Sequence, residues 1–88
     1  MKWTLTIWDA HARTKDVRLP SLKQAASLLD TMLATQPRIA MGAPRMLTLR
    51  RYGDAGLNRR YVWDGSYGTW RHETNMTPDN ELFARFNP

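Results

Sequence analysis

The stretch that decides the fold is residues 45–73, RMLTLRRYGDAGLNRRYVWDGSYGTWRHE. It holds three short alternating runs rich in aromatic and β-branched residues, 45–52, 59–64 and 69–73, which read as strands. Between them lie Gly53-Asp54-Ala55-Gly56 and Gly65-Ser66-Tyr67-Gly68, where glycine supplies the positive φ that tight hairpins need. An antiparallel meander follows. Setting Leu49 opposite Tyr61 and Leu47 opposite Trp63 gathers the apolar side chains of the first hairpin on one face, whereas a one-residue slip sets Leu47 against Asp64. On the other face the same register puts Arg50 opposite Arg60, with Arg51 and Arg59 facing each other at the hairpin tip. Like charges directly opposite are destabilising, so four guanidinium groups at one end of a hairpin point to an anionic partner.

Upstream, residues 2–8 alternate cleanly, with Trp3, Leu5 and Ile7 on one face and Lys2, Thr4, Thr6 and Trp8 on the other. After a polar turn at 9–14, residues 15–19 alternate again with Val17 and Leu19 inward, and are expected to pair back as a hairpin. Ser21 is placed as a helix N-cap, and Gln24 at the third helical position completes a capping box. Leu22, Ala25, Ala26, Leu29, Met32 and Leu33 then recur as one apolar stripe. The helix is expected to end near Gln36, because the residue before Pro37 is pushed out of the α region. Residues 37–44 read as an irregular connection with Ile39 and Met41 as candidates for burial. Thr77-Pro78 offers an N-cap and a first-turn proline, with Asp79 and Glu81 suited to the positive end of a helix dipole. A short C-terminal helix over 78–86, packing through Leu82, Phe83 and Phe86, completes the pattern.

The expected fold is a single α+β domain, 1–88, in the order β-β-α-β-β-β. One main helix packs on one face of an antiparallel sheet of four or five strands, with the possible short helix at the C-terminus. Its expected core is Trp3, Leu5, Ile7, Leu22, Ala26, Leu29, Leu33, Leu47, Leu49, Tyr61, Trp63 and Trp70.

Eighty-eight residues support one small core. With no cysteine, neither a disulfide framework nor a thiolate zinc site can hold it together. No apolar run approaches the roughly 18 residues of a membrane span, and the N-terminus lacks the basic-then-apolar order of a secretory signal. A cytoplasmic protein without membrane contact is therefore expected. The net charge of +5 is concentrated: residues 38–71 carry seven arginines against Asp54 and Asp64. Ten of the thirteen basic residues are arginine, which forks onto phosphate or carboxylate and stacks on ring faces better than lysine does.

The residues that could carry chemistry are sparse. His11 and His72 have no partner at a recognised spacing. Ser66 sits in no nucleophile elbow, and the turn at 65–68 is followed by neither the lysine nor the helix start of a phosphate loop. No enzymatic activity, metal or cofactor is expected. The candidate contact residues are instead Arg50, Arg51, Arg59 and Arg60, flanked by Trp8, Tyr52 and Arg71. Trp8 and Tyr52 fall on the outer face, where aromatics beside arginine mark contact surfaces for proteins or unstacked bases, unless the C-terminal helix covers Trp8.

The run Val17-Arg18-Leu19-Pro20-Ser21-Leu22-Lys23-Gln24-Ala25, set after two strands and before a basic aromatic meander ending in Tyr61-Val62-Trp63-Asp64-Gly65 and Trp70, resembles the layout of some small phage anti-CRISPR proteins. That resemblance implies a non-enzymatic inhibitor in the host cytosol. It would dock on a CRISPR effector or other nucleic-acid-processing complex, on its DNA-binding surface or on the DNA itself, as a monomer or weak homodimer. The segment from Trp3 to Ala25 alone is also similar to the arm-type DNA-binding domain of phage integrases, which implies direct, sequence-tolerant DNA binding by a mobile-element protein. Here, however, three strands follow the helix.

Overall fold

Seven elements alternate along the chain: β1 (Trp3–Asp9), β2 (Thr14–Leu19), α1 (Leu22–Leu33), β3 (Pro44–Arg51), β4 (Asp54–Asp64), β5 (Thr69–Glu73) and α2 (Asp79–Phe86). The structure is a computed structural model and describes residues 3–34, 44–51, 54–65, 67–74 and 77–86, with backbone alone for 54–58 and 86. The strands form one antiparallel sheet in the order β2-β1-β3-β4-β5, the α+β arrangement that the strand, helix and meander signals imply. No helix of the described residues is long and apolar enough to cross a membrane.

The β1–β2 turn is built around Asp9. Its Oδ1 accepts from the backbone N–H of His11 at 2.8 Å and of Arg13 at 3.0 Å. Desolvation works to raise the Asp9 carboxyl, but these two amides, Arg13's first, outweigh it and hold the group below the ordinary carboxylate range. The turn also forces Ala12 to φ 61°, a left-handed conformation in which a Cβ is strained.

Both β2 and β3 run antiparallel to β1, which lies between them. The link from β2 to β3 must therefore cross β1, and α1 makes that crossing on one face of the sheet. Ser21 begins the helix as expected, its Oγ accepting from the Gln24 N–H at 3.3 Å. The stripe centres on Ala25 and Leu29, which are fully buried, with Leu28, Met32 and Leu33 packed around them. Leu22, expected in the core, is instead 43% exposed, and Ala26 is only half-buried: the packed stripe starts three residues later, at Ala25, and leaves the first turn outside. The helix stops at Leu33 with Ala34 as C-cap. The expected end near Gln36, Ile39, Met41 and the irregular connection before Pro44 lie outside the described residues.

The second helix packs on the opposite side of the sheet. Leu5, Leu47 and Leu49 join Trp3, Ala25 and Leu29 under α1, whereas Met46 and Val62 join Leu82 and Phe83 under α2. Successive strand side chains point to opposite faces, so the alternation of Met46 and Leu47 between the two clusters fixes a helix–sheet–helix sandwich. In β3 the four consecutive residues Met46, Leu47, Thr48 and Leu49 are all buried. Trp8, placed on the outer face by its sequence position, is covered there by α2 and stacks on Phe83, with centroids 5.4 Å apart.

The β3–β4 register differs from the one read from the sequence by two residues. Leu47 pairs with Tyr61, Leu49 with Arg59, Thr48 with Arg60 and Arg51 with Asp54, across an irregularity between Leu49 and Arg51. A two-residue slide leaves every side chain on its own face, so apolar alternation cannot choose between the two registers. Turn length does choose. Strand β4 begins at Asp54, within the segment read as a four-residue turn, so only residues 52 and 53 separate it from β3. The β4–β5 turn keeps its expected position. The Gly68 N–H donates to the Asp64 carbonyl at 2.8 Å, and Gly68 takes φ 65°.

Two measurements test this architecture. Leu29→Ala and Leu82→Ala, one beneath each helix, should each lower stability by about 2–5 kcal/mol in denaturant melts; a near-zero loss for Leu82→Ala would mean that α2 is not part of the core. Ala12→Gly should raise stability by about 0.5–1 kcal/mol, because relief of the left-handed strain exceeds the added chain entropy. A lower melting temperature for that variant would contradict the assigned turn.

Candidate functional site

The arginines of the β3–β4 hairpin divide between the two faces. Arg50 and Arg60 share the α2 face, and both reach the carboxylate of Asp79 at the start of α2. Arg50 Nη2 pairs with Asp79 Oδ2, and Arg60 Nη1 pairs with Oδ1 at 3.2 Å while also donating to the Thr77 carbonyl. Asp79 thus sits at the positive end of a helix dipole and between two guanidinium groups. The two like charges that the sequence sets close together are answered from within the chain. Arg60 is accordingly buried, and its cross-strand partner is Glu73.

Arg51 and Arg59 alternate onto the α1 face. Arg51 is half-buried opposite Asp54, whereas Arg59 is exposed and makes no ion pair among the described residues. Arg71 returns to the α2 side, where Nη2 lies 3.1 Å from Asp64 Oδ2 and the guanidinium sits 5.5 Å from the centroid of the Tyr67 ring. Its side chain remains about half exposed, at 47%. Trp8 lies beneath α2, and Tyr52 falls outside the described residues. The expected single cluster is therefore a band of positive charge around the meander, with Arg60 and Trp8 serving the fold.

A second feature escaped the sequence reading. Beyond the end of α1, on the same face, a groove of about 400 Å³ is lined by Leu33, Ala34, Tyr61, Trp63, Gly68, Thr69, Trp70 and His72. Tyr61 and His72, directly opposite in the register, stack with centroids 4.8 Å apart and planes at 20°; Trp63 and Trp70, also opposite, meet edge-on at 5.6 Å. Trp63 and Trp70, expected in the core, are only half-buried. The signal for this was geometric: five strands at about 4.8 Å spacing are wider than one helix of about 10 Å, so a helix crossing β1 must leave β4 and β5 open on its side. Among the described residues no three histidine or carboxylate side chains converge in a metal-binding group.

No protein family, curated protein or solved structure matches the chain.

Asp79→Asn should destabilise the protein by about 1–3 kcal/mol, since the buried Arg60 loses a charged acceptor. Arg50→Ala, at a half-exposed position, should cost clearly less. Equal losses in urea melts would show that the Arg60 contact with Asp79 adds nothing beyond the Arg50 pair.

Proposed function

We propose that the protein is a small, non-enzymatic, phage-type inhibitor that docks on a nucleic-acid-processing complex, such as a CRISPR effector, through the basic band at the meander. The observation that carries this reading is the exposed Arg59, which lacks a carboxylate partner among the described residues, close along the hairpin to the half-exposed Arg50 and to Arg51. Arg71 extends the band along β5. Arginine suits such a surface because its planar fork pairs with carboxylate or phosphate without loss of charge. In this reading Arg51 and Arg59 make the central contacts on the α1 side, the half-exposed Arg50 and Arg71 flank them from the α2 side, and Arg60 and Trp8 hold α2 in place. The same band supports a second reading, direct and sequence-tolerant binding of DNA.

Salt and nuclease separate the two. Direct phosphate binding by four arginines should give log affinity falling with log salt at a slope of roughly −3 to −4, and nuclease should strip everything captured from a host extract. An inhibitor should instead retain a stoichiometric protein complex after nuclease, with a shallower salt slope. An Arg51→Glu, Arg59→Glu double variant, which spares the buried Arg60, should lose that complex while still unfolding in one cooperative transition, at a lower midpoint because Arg51 is half-buried. A folded double variant that retains its partners would overturn both readings.

A further inference from the structure

We infer that the groove over β4 and β5 is a binding slot for an unstacked base of single-stranded nucleic acid. This inference shares Arg59 with the proposed docking surface but rests on the ring pairs of the groove, so it can fail independently of docking to a protein complex. The groove is walled by two ring pairs, Tyr61 with His72 and Trp63 with Trp70, and by Leu33 and Ala34 at the end of α1. Aromatic rings left accessible on an open sheet offer flat, apolar surfaces to another planar ring, and stacking of this kind tolerates any base because every base has a π-face. At about 400 Å³ the groove lies in the size range of small-ligand sites.

Charge complementarity selects nucleic acid as the occupant. Arg59 precedes Tyr61 by two residues on the same face of β4 and is exposed without an ion pair among the described residues. A base inserted between the ring pairs would therefore leave a flanking phosphate close to the Arg59 guanidinium. Along β4, Tyr61 and Trp63 are roughly 7 Å apart, two strand residues, about twice the 3.4 Å rise per stacked nucleotide. That separation suits a strand whose bases have come apart and does not suit a duplex.

Titration of the full chain with an oligothymidylate of about 12 nucleotides, within the site sizes of single-strand binders, tests the slot through tryptophan emission. The single strand should quench emission. An abasic oligomer of equal length and a duplex of the same sequence should bind at least tenfold more weakly. His72→Ala, at an exposed position, and Trp63→Leu should each weaken the single strand by about tenfold to a hundredfold without changing the salt slope, whereas Arg59→Ala should make that slope shallower by about 0.7. Melting curves confirm that each variant folds, and His72→Ala carries the test if Trp63→Leu does not. Abasic or duplex oligomers that bind as tightly as the single strand, or no quenching by any oligomer, would overturn the inference. So would emission that changes with protein concentration alone as a dimer forms, because a second copy would then fill the groove. Retention of a nuclease-resistant protein complex alongside any of these failures would leave the docking reading standing while the slot falls.

Discussion

Burial of β3 on both faces is the constraint on which the structure depends. A central strand covered on one side only could alternate apolar with polar residues; here Met46, Leu47, Thr48 and Leu49 are all out of water, so each face needs its own helix. The crossing from β2 to β3 provides α1 for one face. The other is closed by a short helix at the end of the described chain, only eight residues long and too short to be stable in isolation. It is held by Leu82 and Phe83 against Met46, Val62 and Trp8, and by Asp79 between Arg50 and Arg60. The apolar contacts supply attraction, and the ion pairs fix where the helix begins. Arg60 would be costly to bury without that carboxylate.

Much of this was legible in the sequence because it was written in local signals. Ser21 with Gln24, the alternation from Trp3 to Ile7, and Gly68 in the second turn each act within a few residues, and each appears in the structure at its expected place. The β3–β4 register was not legible, since sliding by two residues preserves every face and the deciding fact was the length of β4. The two-sided sheet was concealed in a similar way. Met46 and Val62 are apolar residues in the polar phase of their strands, which marks a strand covered from both sides, and Trp8 on the outer face of β1 carries the same signal.

The candidate surface was legible in composition and misread in arrangement. Arginines adjacent in sequence face opposite ways along a strand, so Arg50 with Arg51, and Arg59 with Arg60, cannot serve one flat contact. One member of each pair is recruited to fasten α2, and the other is left on the side of α1. The same reasoning applies to Trp63 and Trp70. Their apolar character suggested the core, but core membership depends on something lying above them, and one crossing helix does not reach that far across five strands.

Because β3 belongs to both layers at once, neither layer can open while leaving the other intact. Release of α2 would wet Met46 and Val62 and strip the carboxylate from Arg60, weakening the strand on which Leu47 and Leu49 depend beneath α1. Amide protons of β3 would then exchange with solvent only when the whole molecule unfolds, whereas those of β2 and β5, at the margins of the sheet, can exchange through local fraying. A chain of this size thereby behaves as one cooperative unit, with its most protected hydrogens in the strand shared by both cores.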